Sequence, residues 1–233
     1  MKPLEKIPQE LFPAFSMDGK IEIEKIYLDG TNSKERIYTK DLIDRFINEI
    51  RNKHSNYYGD TDLWLYDALE KYHVSGKNVV VFGSSSPWYE SVAIFHGCDK
   101  CYVLEYNKIT AENEKIIQIS GKEKLDIDFG FSISSFEHYG LGRYGDPINP
   151  HADIEAMEEA KKIIKKNGLL FLAVPIGKDK VVWNANRIYG DIRLKALIFG
   201  WEIVDRFGWE EDKISIDTER NAGYQPVFVL KNK

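Results

Sequence analysis

The fold is decided by residues 78–105, whose sequence is NVVVFGSSSPWYESVAIFHGCDKCYVLE. A β-branched run ends at Gly83, and a turn of small residues follows it. Pro87 is well placed to open a helix, which Gly97 ends. A second β-rich run then closes on Glu105. The order strand, tight turn, helix, strand predicts a parallel crossover unit.

The two strands are expected to end at one edge of a sheet, where ligands of open α/β sheets bind. Gly83, Ser84 and Ser85 then lie against the free backbone N–H groups that open the helix. Glu105, at the tip of the second strand, is placed to accept hydrogen bonds from ribose hydroxyls. Tyr106 follows it directly. We therefore assign these five residues to cofactor binding.

Composition excludes several functional classes. The chain has 233 residues, 43% of them hydrophobic, and a formal net charge of −5, which argues against a nucleic-acid partner. It has no apolar stretch of about 18 residues, so no membrane span is expected. The segment 1–10 lacks the apolar run of a signal peptide. We expect a cytoplasmic protein with a small-molecule partner, and a homodimer is left open.

The two cysteines, Cys98 and Cys101, form a single C-x-x-C. A structural zinc site needs four ligands, and no second pair completes one. A redox pair is expected at the start of a helix, whereas this pair follows a helix and leads into a strand. We interpret both as reduced structural thiols.

Strands and helices alternate along most of the chain. An alternating segment over 21–26 predicts a strand followed by a turn at 29–30, and helices are expected to begin at Thr39 and Thr61. We predict about seven strands in one sheet, which makes an α/β, doubly wound, mostly parallel Rossmann-like domain. Residues 1–60 are assigned to an N-terminal extension and a packing helix, and residues 61–233 to the domain.

The second half of the chain carries further predicted elements. A helical stretch is expected after Asn107, and a helix over 153–166 is expected to end in a glycine cap at 167–168. Residues 183–200 predict a turn and another helix. The last two β-rich runs are expected to finish the sheet as an antiparallel hairpin.

A buried strand over about 129–134 delivers polar residues to the same predicted edge. These are Ser134, which we add to the cofactor-binding group, and Glu137 and His138. A long glycine-rich polar loop follows over 139–153, and loops of this kind are often functional.

The predicted crevice suits an adenosyl ligand without phosphates. The G-x-G-x-x-G of dinucleotide sites is absent, because one glycine is followed by three serines, and no G-x-x-x-x-G-K-[ST] occurs. An acid that ends the second strand can hold a ribose, while the small-residue turn leaves room for an amino-acid end.

Three segments carry a resemblance to known proteins: FGSSSPWYE (82–90), SSFEHYGLGRYGDPINP (134–150) and VPIGKDKVVWNANRIYG (174–190). They resemble the uncharacterised family called domain of unknown function 268. The order of elements from about residue 61 onward resembles the class I S-adenosylmethionine-dependent methyltransferases. That resemblance implies S-adenosylmethionine as cofactor. Bacterial members of the family are similar to proteins of surface-polysaccharide assembly, which implies a sugar or a sugar-linked acceptor. Ser85 departs from the methyltransferase pattern, in which a second glycine is common.

Methyl transfer by in-line attack requires an aligned nucleophile and a group that takes up its proton. His138 is the predicted base, since imidazole titrates near working pH. Asp146 either orients His138 or serves as the base, and Arg143 is a candidate for holding an anionic substrate group. The remaining candidates for substrate binding are Glu137, Tyr144, Asn149, His151, Asn186 and Arg187, with Asn184 beside them. Structural roles for Glu137, as a helix cap, and for His138 stay open.

Other functions remain as alternatives. A non-catalytic Rossmann-like module in a glycan-assembly complex is favoured by the serine-rich turn. An NAD-dependent oxidoreductase is disfavoured by the missing glycines. A divalent metal held by Glu137, His138, Asp146 and His151 matches no known ligand spacing, so no metal is assigned.

Overall fold

The computed structural model describes residues 3–28, 35–218 and 223–233. Its helices are α1 (Phe12–Phe15), α2 (Lys40–Arg51), α3 (Asp60–Lys71), α4 (Trp88–Phe95), α5 (Ala152–Ile163) and α6 (Arg193–Leu197). Its first six strands are β1 (Glu22–Glu24), β2 (Arg36–Tyr38), β3 (Asn78–Phe82), β4 (Lys100–Leu104), β5 (Ile109–Ala111) and β6 (Ile116–Ile119). The other six are β7 (Ile127–Ile133), β8 (Ile164–Ala173), β9 (Lys180–Val182), β10 (Asn186–Ile188), β11 (Trp201–Phe207) and β12 (Val227–Asn232). Short 3-10 turns cover Gln9–Leu11, Phe136–His138 and Glu211–Ser215.

The central sheet has seven strands in the order β11-β12-β8-β7-β3-β4-β6. Neighbours from β8 to β6 are parallel, and β12 lies antiparallel between β8 and β11. The predicted parallel crossover of β3, α4 and β4 is thus confirmed, as is the closing hairpin. This seven-stranded, mostly parallel sheet with helices on both faces confirms the predicted doubly wound, Rossmann-like α/β fold.

The period-two pattern of β3 accounts for burial on both faces of the sheet. Val79 and Val81 pack with residues of α2, α3 and α4 in one core cluster. Val80 and Phe82 point to the other face, where residues of α5 and α6 pack. Trp88, at the start of α4, packs edge-on against Phe46 of α2 with ring centroids 5.2 Å apart.

The first part of the chain pairs with later strands. β1 runs parallel to β9, at the edge of a three-stranded sheet with β10, and β2 runs parallel to β5. Thr39 caps α2 by accepting the Leu42 backbone N–H at 3.3 Å, as predicted. The turn predicted at 29–30 lies outside the described residues. The boundary near residue 60 stays a prediction.

Three predicted elements differ in the structure. The stretch after Asn107 is not helical, because Ile109–Ala111 pairs with β2 as a strand. The helix predicted over 153–166 ends at Ile163, and β8 begins at once. The Asn232 side chain donates to the carbonyls of Lys161 and Ile164, at 2.8 and 2.6 Å, so a residue at the far end of the chain closes that helix.

The segment predicted as a turn and helix over 183–200 is mostly a hairpin. β9 and β10 pair antiparallel, and only Arg193–Leu197 is α-helical. The turn of the hairpin contains Asn184 at φ +49°, whose amide bonds the backbone N–H and carbonyl of Leu28 at 2.9 and 3.0 Å. A contact with the N-terminal part of the chain therefore fixes this turn.

Cys98 and Cys101 are both free and fully buried beside α4 and β4. Burial raises the pKa of the Cys98 thiol to about 11 and raises that of Cys101 as well. High thiol pKa values disfavour the reactive thiolate, which agrees with a packing role. In the described part of the chain, no helix has the length and apolar character needed to cross a membrane.

Candidate functional site

A cavity opens at the carboxyl ends of β3, β4 and β7. All six residues predicted to bind cofactor line it, together with His138, Tyr144 and Asp146. The other lining residues are Arg36, Tyr57, Tyr58, Ser86, Trp88, Tyr89, Asn107, Ile133, Ser135 and Tyr139.

Gly83 forms the floor of this cavity at the end of β3. Its φ is +71°, which L-residues with side chains rarely adopt, and an added Cβ would lie 2.3 Å from Ser135 Oγ. The Gly83 N–H donates to the Leu104 carbonyl of the neighbouring strand at 2.9 Å. The turn therefore needs glycine, and it brings the backbone of β3 close to Ser135.

Glu105 joins the turn to the end of β4. One carboxylate oxygen, Oε2, accepts the Ser84 backbone N–H at 3.0 Å and pairs with Arg36 at 3.3 Å. The other, Oε1, accepts the backbone and side-chain N–H groups of Asn107 at 3.0 and 2.9 Å. Arg36 also donates to the Ser84 carbonyl. The acid thus lies where the sequence predicts a ribose-binding group.

His138 follows β7, on the other side of β3 from Glu105, and lines the cavity with 22% of its side chain exposed. Its Nδ1 is 2.6 Å from the Ala185 carbonyl oxygen. A carbonyl only accepts hydrogen bonds, so Nδ1 carries the proton in the neutral ring and Nε2 is the free acceptor. The turn between β9 and β10 thereby sets the tautomer of His138.

Glu137 is fully buried next to His138. Its Oε1 accepts the Ser134 hydroxyl at 2.6 Å and lies 3.6 Å from His138 Nε2. Burial raises the pKa of Glu137, and the neighbouring His138 opposes that shift. Ser134 adopts φ +49° at the end of β7, a sparsely populated conformation typical of functional sites. Glu137 is therefore close enough to His138 to stabilise a positive charge on the imidazole ring.

Aromatic side chains form much of the remaining wall. Tyr57 and Tyr58 come from the segment between α2 and α3, and the Tyr57 hydroxyl donates to Ser86 Oγ at 2.9 Å. Part of the segment between α2 and α3 therefore borders the cavity. Burial raises the pKa of Tyr58 to about 12, so its phenol stays protonated at neutral pH. These rings make the cavity suitable for an aromatic base or another flat ligand.

Asp146 shapes the glycine-rich loop. Its carboxylate accepts the backbone N–H groups of Gly140, Gly142 and Tyr144 at 2.7, 3.2 and 3.2 Å. These three bonds hold the loop, and among the described residues no hydrogen bond joins Asp146 to His138, so the contacts favour a loop-holding role for Asp146. Arg143 stacks on the Tyr144 ring, with 5.1 Å from its guanidinium carbon to the ring centroid, and does not line the cavity.

Four predicted substrate-binding residues lie away from this cavity. Arg187 is fully buried and donates to the carbonyls of Glu137 and Tyr139, so it holds the start of the glycine-rich loop in place. Asn186 is buried, with its amide on the Arg187 carbonyl at 3.3 Å. His151 is exposed just before α5. Asn149 lines an adjoining cleft against α5. These four residues are near the predicted site along the sequence, but their local folds place them outside the cavity.

The metal alternative finds no support in the geometry. In residues 3–28, 35–218 and 223–233, no group of three or more His, Cys, Asp or Glu is arranged to hold an ion.

Glu90 of α4 is a buried acid whose two carboxylate oxygens have no hydrogen-bond partner among the described residues. Burial raises the pKa of Glu90 from 4.5 to about 7. A raised carboxyl pKa means that the folded state holds a proton which the unfolded state has lost. Its contribution to stability is therefore complete below pH 4.5 and is lost as the pH rises through about 7.

Glu90→Gln is expected to remove most of that pH dependence. One pKa unit corresponds to about 1.4 kcal/mol, so at pH 8.5 the free energy of unfolding of the variant should exceed that of the wild type by about 2–3 kcal/mol. At pH 5 the free energies of unfolding of the two proteins should be close. Chemical denaturation at both pH values measures this, with the exposed Glu10→Gln as the matched control. An equal difference between Glu90→Gln and wild type at both pH values would contradict it.

Several lining residues carried no signal that sequence reasoning used. Arg36 lies on a three-residue strand, far from the motif segments along the sequence. Tyr139 and Ser135 stand within the second motif, but their roles depend on the bend after β7. The Ala185 carbonyl is a backbone group, which no residue-type pattern reveals.

Comparison with solved structures found several chains of low similarity. A Streptococcus mutans protein assigned as an S-adenosylmethionine-dependent methyltransferase matches 72% of this chain and 47% of its own, at 13% identity and TM-score 0.46. A Listeria monocytogenes protein with the same assignment matches 73% of this chain over 97% of its own length, at 12% identity and TM-score 0.46. A Lactococcus lactis protein assigned as a hemolysin matches 73% of this chain over 86% of its own length, at 16% identity and TM-score 0.47.

The chain spans about half the length of the Streptococcus mutans protein. These similarities are too distant to transfer an activity, so the fold assignment rests on the strand order itself. No curated protein matches the chain. The family model described as "Caenorhabditis protein of unknown function, DUF268" matches residues 76–229, which include all three motif segments. The chain belongs to that family.

Proposed function

We propose that this protein transfers a methyl group from S-adenosylmethionine to an oxygen or nitrogen atom of a small molecule. One observation carries the proposal. The Gly83 turn and Glu105, on adjacent parallel strands, border the same cavity as His138, whose Nε2 is unprotonated in the neutral ring. An adenosyl ligand needs a ribose acceptor and an open turn, and methyl transfer needs a base near the nucleophile.

The residues present fit this cofactor. Gly83 leaves its backbone open at the strand end because no side chain fills that position. Glu105 supplies carboxylate oxygens for ribose, and the rings of Tyr106 and Tyr139, with centroids 6.4 Å apart, offer faces for the adenine. The cofactor, when bound, supplies a methyl group on a sulfonium that a nucleophile can attack.

His138 is the group that takes the proton from the acceptor. Nε2 receives it, while Nδ1–H stays bonded to the Ala185 carbonyl. The resulting imidazolium lies 3.6 Å from Glu137 Oε1, so the Glu137 carboxylate stabilises it. Ser134 keeps Glu137 in place through its 2.6 Å hydrogen bond. Alignment of the acceptor and uptake of its proton are the two contributions of the protein.

For the acceptor we propose a sugar or a sugar-linked small molecule. The family resemblance supports this choice, and the hydroxyl groups of Tyr58 and Ser135 on the cavity wall are donors and acceptors suited to sugar hydroxyls. The net charge of −5 supports a small-molecule partner over nucleic acid.

The proposal is tested by incubating the protein with methyl-labelled S-adenosylmethionine and a panel of monosaccharides, nucleotide sugars and phenols. Transfer of label to one class of acceptor, at a rate that depends on protein concentration, is the expected result. No transfer to any acceptor by a protein that binds S-adenosylhomocysteine would contradict the enzymatic function.

That second result would favour a non-catalytic Rossmann-like module, the alternative function. One observation favours it. Every hydrogen-bond acceptor position on the Glu105 carboxylate is already occupied by a protein donor, from Ser84, Arg36 or Asn107. Such a site has to rearrange before a ribose binds.

A further inference from the structure

The carboxylate of Glu105 has no free lone pair for a ribose. A carboxylate offers about four lone-pair sites. Oε2 accepts the Ser84 N–H and pairs with Arg36, and Oε1 accepts the backbone and side-chain N–H groups of Asn107. A ribose hydroxyl therefore binds Glu105 only when one of these partners leaves.

Arg36 is the partner that leaves most easily. The Ser84 donor is a backbone group in a tight turn, and Asn107 is only two residues from Glu105, so both are fixed by local geometry. Arg36 instead reaches the site from β2, which lies outside the central sheet. Its contact with Glu105 is also the longest of the four, at 3.3 Å.

Arg36 also has N–H donors that its contacts with Ser84 and Glu105 do not use. Its side chain is 18% exposed and lines the cavity next to the serine turn. Both of its contacts, with the Ser84 carbonyl and with Glu105, use Nη1. The Nη2 and Nε donors are therefore not engaged by these two residues. A guanidinium binds a carboxylate through two parallel hydrogen bonds.

We infer that Arg36 determines which adenosyl ligand the site accepts. It holds Glu105 in the ligand-free protein and transfers to the carboxylate of the ligand's amino-acid moiety when the ribose takes its place on Glu105. The site then selects adenosyl ligands that carry a carboxylate over the same nucleoside without one. This inference rests on the proposed function.

The test compares two ligands that differ in that carboxylate, S-adenosylhomocysteine and 5′-methylthioadenosine, by calorimetric titration of the full chain. Arg36→Ala is expected to weaken S-adenosylhomocysteine binding by about tenfold to a hundredfold, the usual effect of losing a charge-assisted bidentate pair. Binding of 5′-methylthioadenosine should be unchanged or tighter, since Glu105 is released. Arg45→Ala, which removes an exposed arginine of α2, is the matched control.

Arg36→Lys, which keeps the charge without the bidentate fork, is expected to lose part of the same affinity, and it serves if the alanine variant does not fold. Equal losses for both ligands would overturn the inference, because Arg36 would then only position Glu105. Unchanged affinity for S-adenosylhomocysteine would overturn it as well. If the wild-type chain binds neither ligand, the proposed function fails and the role of Arg36 fails with it.

Discussion

Asp153→Ala is expected to lower the free energy of unfolding by about 3–5 kcal/mol, because it leaves buried positive charge without its partner. Asp153 is fully buried and accepts two hydrogen bonds from Arg193, at 2.9 and 2.6 Å, and one from Tyr189 at 3.0 Å. Arg187, also buried, lies 3.7 Å away. Burial alone would raise the pKa of Asp153, but the two arginines outweigh it and lower that pKa.

This cluster also supports the site. Arg187 donates to carbonyls at both ends of the glycine-rich loop, and Arg193 donates to the Pro150 carbonyl at 2.7 Å. Denaturant unfolding measures the stability loss. Hydrogen exchange should show faster opening of residues 139–151 in the variant. Glu159→Ala, which removes an exposed i,i+3 pair with Lys162, is the control and should change stability by about 0.5 kcal/mol or less. A loss no larger than this in Asp153→Ala would contradict the account.

His138→Ala is expected to lower the rate of methyl transfer by about 10²- to 10⁴-fold, the usual contribution of a positioned general base. S-adenosylhomocysteine affinity should change little, because His138 follows β7, on the other side of β3 from Glu105. The measurement is single-turnover label transfer to the acceptor that the screen identifies.

The matched control for that experiment is His151→Ala, because His151 is an exposed histidine outside the cavity. It should keep wild-type rates. A second variant, Glu137→Gln, keeps the size of the side chain and removes its charge, so it should slow transfer by less than His138→Ala. Equal rates in His138→Ala and wild type would exclude His138 as the base.

The sequence predicted those parts of the fold that are set locally. Val79–Val81, the small-residue turn and Pro87 each act through neighbouring backbone, so the strand, turn and helix follow from residue type and spacing. The meeting of Gly83 and Glu105 follows in turn, because adjacent parallel strands end at the same edge.

Long-range contacts explain what the sequence did not predict. Asn232 ends α5 from about 70 residues away along the chain, so the expected glycine cap was not used. Asn184 is held by Leu28, which makes a hairpin where a helix was expected. Arg36 reaches Glu105 through the pairing of β2 with β5, and no local pattern marks that pairing. Side chains placed by such contacts are visible only in three dimensions.

The central claim, that the cavity between the Gly83 turn and Glu105 binds an adenosyl ligand, is tested most directly by calorimetric titration with S-adenosylhomocysteine. The wild-type chain and Glu105→Ala are compared, with Glu112→Ala as a control for an acid outside the cavity. The account predicts saturable binding by wild type and the control, and a loss of about tenfold to a hundredfold in Glu105→Ala, because the ribose loses a charge-assisted hydrogen bond. Absence of binding by the folded wild-type protein, or equal affinity in Glu105→Ala, would contradict it.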